Sequence, residues 1–168
     1  FNRITTSEVY AADKLFATLD PTLARVDIEH LGPVLFADTV GFISDLPTTL
    51  VEAFKATLEE TANASLLLHV VDVSANNREE LMADVESVLG EIQADGLPQL
   101  LVFNKLDLLE QPPRILRNES GAPTAVYLSA ATGEGVELLF DAIRERLSVT
   151  LFDDCLLYTS PSPRDTTA

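Results

Sequence analysis

The sequence predicts a three-layer α/β fold: a mainly parallel sheet with helices on both faces and one antiparallel edge strand. Short apolar runs alternate with longer segments of helical period, and this alternation is typical of parallel sheets covered by helices. Polar clusters directly follow several of the apolar runs, at the position where ligands bind in open α/β sheets. Only a Gly32-Pro33 turn separates the first two runs, so we expect a hairpin that supplies the antiparallel strand.

Composition narrows the class of protein. The 168 residues are enough for about one domain, and 46% hydrophobic with 23% charged residues is ordinary for a soluble globular chain. The net charge of −16 disfavours non-specific attraction to nucleic acid, so we expect no direct DNA binding. No run is long enough to span a bilayer, no signal-peptide pattern is present, and the single cysteine argues against a disulfide framework. These features predict a cytoplasmic protein.

The two ends of the chain differ from the segment between them. Phe1 to Thr5 includes no initiator Met and is typical of the last turns of an amphipathic helix. We predict one domain over residues 1–150 and a non-domain tail over residues 151–168. From about Cys155 the tail has no helical or strand period and resembles a translated sequencing adapter. A native disordered Ser/Pro-rich tail is the alternative.

The first half of the domain predicts a hairpin followed by a helix. Residues 22–31 largely alternate in polarity and predict a strand, and residues 34–37 predict its hairpin partner. Asp45 can cap a helix, and Pro47 suits its first turn. The apolar face of this helix consists of Leu50, Val51, Phe54 and Leu58.

The second half predicts three further strands and two helices. Residues 65–73 form a long apolar run, which predicts a strand buried on both faces. A helix capped by Asn76 or Asn77 follows and ends at Gly96. Its inward side chains are Leu81, Met82, Val85, Val88, Leu89 and Ile92. The remaining elements are a strand over 100–103, a loop at Pro112-Pro113, a strand over 126–128, and a helix facing the core with Val136, Leu139, Phe140, Ile143 and Leu147.

The cluster from Asn104 to Asp107 follows the apolar run 100–103 and so lies at the carboxyl end of a predicted strand. A carboxylate such as Asp107 can accept two parallel hydrogen bonds from a flat edge with two adjacent donors. Guanine has that edge in its ring N–H and exocyclic amine, and adenine does not. Asn104 can donate and accept, and the stem of Lys105 can lie over a base. The cluster predicts guanine recognition, with a solvated turn as the alternative.

A second cluster, Asp38-Thr39-Val40-Gly41, follows the second hairpin strand. An Asp there can hold Mg²⁺ through water, and Gly41 lets the backbone approach a terminal phosphate and move when it leaves. Thr18 lies in an upstream loop, and its hydroxyl could ligate the same ion. The alternatives are a strand end with a glycine turn and a surface loop with a proline turn.

A third cluster, Ser129-Ala130-Ala131, follows the last predicted strand. A small residue there lets a backbone N–H approach an oxygen of the base, and Ser129 could brace the loop. The alternative is a small-residue exit from a strand. Because all these clusters fall at carboxyl ends of strands, we expect them to meet on one rim that binds a purine nucleotide and its metal.

These stretches together resemble the GTPase domain of translation-factor-like G proteins, and more closely the HflX family of ribosome-associated GTPases in the Obg–HflX group. The resemblance covers about residues 1–150. It rests on FATLDPT (16–22), ADTVGFI (37–43), AFKATLEE (53–60), LLLHVVD (66–72), NKLD (104–107) and LSAATGEG (128–135). It implies a P-loop NTPase-like G domain that binds GTP and GDP, hydrolyses GTP with Mg²⁺, and acts on the large ribosomal subunit through the full-length protein.

The same resemblance implies roles for individual residues. Thr18 in switch I and Asp38 in switch II hold Mg²⁺, Asp38 through water. The GTP-binding set is Phe16, Ala17, Thr18, Leu19, Asp20, Asp38, Thr39, Val40, Gly41, Asn104, Lys105, Leu106, Asp107, Ser129, Ala130 and Ala131. Beyond the switch II pair Gly41 and Phe42, no catalytic residue is assigned. Phe42 stands where Ras-like enzymes carry a water-orienting Gln, so hydrolysis should be slow until the ribosome reorders the switches. His69 is interpreted as a packed strand residue.

One departure from the family pattern bears on activity. The 168 residues contain no Gly-x-x-x-x-Gly-Lys-Ser loop, and Phe1 to Ile4 resemble the residues that follow such a loop. We therefore expect a fragment without the first strand and phosphate-binding loop, which keeps guanine-selecting groups but loses most triphosphate affinity and activity. The alternatives are another Obg-, Era- or tRNA-modification-type GTPase, and a nucleotide-free pseudo-GTPase that serves as an interaction module.

Overall fold

The computed structural model describes residues 1–5, 22–38 and 62–157, with Thr22 and residues 150–157 described by their backbone alone. The elements in chain order are helix α1 (Asn2–Thr5), strands β1 (Thr22–Ile28), β2 (Gly32–Asp38) and β3 (Leu67–Asp72), helix α2 (Arg78–Glu91), strand β4 (Gln99–Asn104), a 3₁₀ helix (Leu106–Leu109), strands β5 (Arg114–Arg117) and β6 (Pro123–Tyr127), and helix α3 (Val136–Leu157). The predictions for residues 16–20, for residues 39–42 and for the helix after Asp45 lie outside the described residues.

The described strands form two sheets. Strands β1 and β2 pair with each other antiparallel, and the second sheet has the order β3-β4-β6-β5. Within it β3, β4 and β6 are parallel, and β5 is antiparallel to β6. The predicted mainly parallel sheet with one antiparallel edge strand is confirmed. That strand is β5 rather than the hairpin, which forms a sheet of its own. Strand β5 has only four residues, too few to show a strand period beside the Pro112-Pro113 loop.

Both sheets contribute to one hydrophobic core. Ile28 and Phe36 of the hairpin belong to the same buried cluster as Leu100 of β4, Val126 of β6 and Ile143 of α3. Leu100 and Val126 are 0% exposed because β4 and β6 are the inner strands of their sheet. The predicted inward face of α3 is confirmed at its centre: Leu139 and Ile143 are buried, and Phe140 and Leu147 pack against the cluster. Residues three and four apart share one face of a helix.

The prediction that β3 is buried on both faces is wrong. Val71 is only 7% exposed, whereas its neighbour Val70 is 61% exposed. Successive side chains of a strand point to opposite faces, and here one of those faces packs on the core. Strand β3 is also the outermost strand at its end of the four-stranded sheet. An unbroken apolar run therefore does not distinguish this strand from one covered on both sides.

Two predicted element boundaries are also wrong, the end of α2 and the position of the hairpin turn. Helix α2 ends at Glu91 rather than at Gly96, because Gln93 takes a left-handed conformation (φ 59°) that ends a helix. Asn77 occupies the N-cap position of α2 but makes no side-chain cap hydrogen bond. The hairpin turn lies before the predicted one, with His30 left-handed (φ 64°) and Gly32 already in β2.

Two further predictions, for the inward face of α2 and for the tail, also differ from the structure. Leu81 of α2, which the sequence predicts to face inward, is 39% exposed. Helix α3 continues to Leu157, so the first residues after Cys155 remain helical although no period is visible in their sequence. The domain boundary at residue 150 stays a prediction.

Candidate functional site

The carboxyl ends of the parallel strands form one rim of the four-stranded sheet. Asp72 at the end of β3 pairs in register with Asn104 at the end of β4. Beyond Phe103, the Leu106 N–H donates to the carbonyl of Leu128 at 3.1 Å, and the Leu128 N–H donates to the carbonyl of Phe103 at 3.0 Å. These bonds bring the cluster Asn104 to Asp107 beside the cluster that begins at Ser129.

Asn104 connects the two clusters through its side chain. Its Oδ1 accepts the Ala130 N–H at 2.9 Å, and its backbone carbonyl accepts the Val73 N–H at 3.0 Å. With Oδ1 occupied in this way, the amide presents its Nδ2 hydrogens as the donors for a ligand. The Ala130 N–H, a candidate donor to a base oxygen, is bonded to Asn104 in this structure.

Asp107 is held by the second connection between the clusters. Ser129, which is fully buried, donates its hydroxyl to Asp107 Oδ1 at 2.5 Å. The same hydroxyl accepts the Thr132 N–H at 3.2 Å. Asp107 itself is exposed, and a carboxylate can accept further hydrogen bonds while one oxygen is occupied. The buried Ser129 hydroxyl therefore orients the Asp107 carboxylate, which remains exposed to solvent.

Lys105 extends toward the neighbouring strand. Its backbone is left-handed (φ 67°), and its Nζ lies 2.8 Å from Asp72 Oδ2. Asp72 Oδ1 accepts both the backbone N–H of Ser74 at 2.9 Å and its hydroxyl at 2.6 Å. The hydrogen bond from Lys105, followed by that from Ser74, holds the pKa of Asp72 below its ordinary value. The sequence alone assigns Asp72 no role, although Asp72 ends a strand as Asn104 does.

The loop after β6 is shaped by a glycine. Gly135 is left-handed (φ +82°), and a Cβ there would lie 2.9 Å from the Tyr127 carbonyl oxygen and 2.8 Å from Pro113 Cβ. Only glycine tolerates both conditions. Arg3 of α1 contacts the same loop, because its Nη2 donates to the Ala131 carbonyl at 3.2 Å. The chain start and the third cluster are therefore neighbours.

Asp38 lies apart from these connections in sequence and in sheet. It ends β2 of the hairpin, whereas the rim residues belong to the four-stranded sheet. Thr18 with the rest of residues 16–20, and residues 39–42, are outside the described ranges. Over the ranges that are described, no three His, Cys, Asp or Glu residues form a group that could hold a metal. The magnesium site thus stays a prediction.

His69 is half-buried in β3, and burial lowers its pKa while Glu86 opposes that effect. Its Nδ1 is buried and has no hydrogen-bond partner among the described residues. A neutral imidazole is therefore favoured, which agrees with a packed strand residue. Among the described residues, no helix has the length and apolar character needed to cross a bilayer.

Comparison with known protein families gives a match over the first part of the chain. The family model described as "50S ribosome-binding GTPase" matches residues 1–105. GTPase HflX of Escherichia coli is 56% identical over 149 residues, which cover 88% of this chain and 35% of that protein. GTPase HflX of Magnetococcus marinus is 49% identical over 144 residues, covering 86% of this chain and 33% of that protein. The chain spans about a third of the length of the curated relatives it matches.

Solved structures share the fold. A complex of the protein SsGBP with GDP superposes with a TM-score of 0.66, covering 89% of this chain and 45% of that one, at 24% sequence identity. At this identity the likeness concerns architecture. It agrees with the G-domain fold expected from the sequence.

Proposed function

Because the chain belongs to the HflX family of 50S ribosome-binding GTPases, we propose that it is the guanine-recognising part of a GTP-binding and GTP-hydrolysing switch. The protein to which this segment corresponds acts on ribosomes through the large subunit, in the cytoplasm, to split or rescue them. Its ligands are GTP and GDP.

The observation that carries this proposal is the double connection between the clusters: Asn104 to Ala130 and Asp107 to Ser129. It fixes an exposed carboxylate and an amide donor side by side. The carboxylate accepts the ring N–H and exocyclic amine of guanine, and each hydrogen bond to a charged group contributes about 1.5–3 kcal/mol. Adenine has no ring N–H beside its amine and loses both bonds. The arrangement therefore favours guanine over adenine.

The proposal for the phosphate and metal half of the site rests on the resemblance to the family. Thr18 and Asp38 would hold Mg²⁺, Asp38 through water, since magnesium prefers oxygen ligands and keeps part of its hydration. The ion would neutralise phosphate charge. Residues 16–20 and 38–41 would line the phosphates. The apolar Phe42 cannot orient water by hydrogen bonding, so hydrolysis would depend on the ribosome.

The 168 residues contain no Gly-x-x-x-x-Gly-Lys-Ser loop, whose backbone N–H groups and Lys would hold the phosphates. We therefore expect this chain by itself to bind triphosphate weakly and to be inactive. An upstream reading frame that encodes Gly-Lys-Ser-Thr-Leu before Phe1 would support this view. A start codon there would instead support a pseudo-GTPase interaction module. Flanking domains would separate HflX from an Obg-, Era- or tRNA-modification-type GTPase.

Calorimetric titration of the chain with GDP, GTP and ADP, with and without Mg²⁺, tests the proposal. We expect GDP and GTP to bind with similar, weaker than micromolar affinity, and ADP to give no detectable heat. Equal affinity for ADP and GDP would overturn guanine recognition. Sub-micromolar affinity for GTP would leave guanine recognition intact but overturn the weak-phosphate expectation.

A further inference from the structure

Asp72 is a rim residue without a role in the site as described so far. We infer that Asp72, braced by Ser74, is a positioning residue that holds the stem of Lys105 across the rim as a platform for the guanine ring. This inference rests on the proposed guanine recognition and extends it to the face of the base. Asp72 is proposed to raise the affinity for the base, whereas Asp107 is proposed to select guanine over other bases.

Strand register sets up the contact. Asp72 and Asn104 are paired at the ends of adjacent strands, and Lys105 is the next residue after Asn104. Its left-handed backbone (φ 67°, ψ 33°) precedes the 3₁₀ helix, and its Nζ reaches the β3 strand end at 2.8 Å from Asp72 Oδ2. The lysine stem is therefore fixed at both ends, by the backbone of β4 and by the carboxylate of β3.

The Asp72 carboxylate is also held by Ser74, independently of its contact with Lys105. One carboxylate oxygen accepts the N–H and hydroxyl of Ser74, and the other accepts Lys105 Nζ. An Asp that bonds to the backbone two residues on forms a local turn. Each carboxylate oxygen therefore has its own partner, and rotation of the carboxylate would break the contacts with both Ser74 and Lys105.

Exposure indicates that the ion pair matters for binding more than for folding. The side chains of Lys105 and Asp72 are 48% and 33% exposed, and exposed ion pairs contribute little to stability. A long lysine stem that is already ordered, however, need not be ordered when a base lies on it. The expected benefit is thus a gain in ligand affinity.

A matched ion pair elsewhere in the chain supplies the control. Arg117 and Glu145 lie 2.6 Å apart with side chains 41% and 42% exposed. Arg117 pairs with Pro123, at the amino end of β6 and so at the opposite end of the sheet from the rim. Loss of the Glu145 charge by Glu145→Gln removes a comparable ion pair without touching the proposed site.

The test is a titration of the isotope-labelled chain with GDP and with inosine diphosphate, followed by NMR. Asp72→Asn should weaken GDP binding about 3- to 10-fold, because the long Lys105 side chain would then have to be ordered when the base binds. Inosine lacks only the exocyclic amine, so the ratio of GDP to inosine diphosphate affinity should not change in Asp72→Asn. Glu145→Gln should bind GDP as the unchanged chain does.

A double-mutant cycle shows whether Asp72 acts through Lys105. Lys105→Met should weaken GDP binding, and adding Asp72→Asn to it should cause no further loss. Ser74→Ala, which keeps the Asp72 charge, should weaken binding about twofold and stands in if Asp72→Asn does not fold. Unchanged affinity in Asp72→Asn and Ser74→Ala, or an equal loss in the Lys105→Met background, would overturn the inference. If the unchanged chain does not prefer GDP over ADP, the proposed function itself fails.

Discussion

The four-stranded sheet and the β1–β2 hairpin contribute differently to the candidate site. In the sheet, rim residues from separate loops bond directly to one another, Asn104 to Ala130 and Asp107 to Ser129. The hairpin contributes Ile28 and Phe36 to the core and one candidate site residue, Asp38, at its end. The contacts that support the proposed base recognition therefore lie within one sheet and its loops, whereas the residues proposed for phosphate and metal lie at the end of the hairpin and outside the described residues.

The two regions also differ in burial. Leu100 in β4 is 0% exposed, whereas Leu35 on the outward face of the hairpin is 65% exposed. Leu100→Ala should therefore lower the free energy of unfolding by about 2–5 kcal/mol, and Leu35→Ala should change it by at most about 0.5 kcal/mol. Urea unfolding of both variants measures this. A similar decrease in the free energy of unfolding in both variants would contradict the difference in burial between Leu100 and Leu35.

The second largest effect should concern base choice. Asp107→Ala removes both charge-assisted hydrogen bonds to guanine and should weaken GDP binding about 100-fold or more. Asp107→Asn should shift preference toward xanthine, because the amide donates where the carboxylate accepts and xanthine has a carbonyl in place of the amine.

Asp38→Asn is the matched comparison from the hairpin. It should leave the ratio of GDP to inosine diphosphate affinity unchanged, since Asp38 is proposed to act on the metal. Calorimetry with GDP, inosine diphosphate and xanthosine diphosphate measures all three variants. If that ratio changed in Asp38→Asn, or stayed the same in Asp107→Ala, the proposed separation of base selection by Asp107 from metal binding by Asp38 would be wrong.

A smaller effect should follow from the connection beneath Asp107. Ser129→Ala removes a buried hydroxyl that donates to Asp107 and accepts the Thr132 N–H. Stability should fall by about 1–2 kcal/mol because the Thr132 N–H loses its partner, and GDP binding should weaken because the carboxylate is no longer oriented. Thermal unfolding and GDP titration measure the two effects, with Ser120→Ala on the exposed turn after β5 as control. Unchanged GDP affinity in Ser129→Ala would show that Ser129 does not orient Asp107 for binding.

The smallest effect should be a pH dependence from His69. Burial lowers its pKa in the folded chain, so the unfolded chain binds a proton first as pH falls. The free energy of unfolding should therefore decrease as pH falls from about 7 through about 6.5, the ordinary pKa of histidine, and on to the folded pKa. His69→Gln should flatten this slope in urea unfolding across that pH range. An identical slope in the variant would assign the effect to another group.

The residues of the rim could be predicted from the sequence because parallel strands end at a common edge of a sheet, where ligand-binding polar residues lie. The rule applied to Asn104, Asp107 and Ser129 without knowledge of their contacts. It did not reveal that Lys105 bonds to Asp72, since register between β3 and β4 is a tertiary property. Strand β5 was too short for a period, and the end of α2 was set by the left-handed Gln93, which the sequence does not mark as a glycine would.

Titration of the isotope-labelled chain with GMP and AMP, followed by NMR, shows whether the four-stranded sheet binds guanine in preference to adenine. Amide signals of residues 104–107 and 129–131 report on the rim, and those of residues 22–38 report on the hairpin. We expect GMP to shift the rim amides saturably while the hairpin amides and the AMP titration stay unchanged. Equal shifts with AMP and GMP, or GMP shifts confined to the hairpin, would contradict the claim.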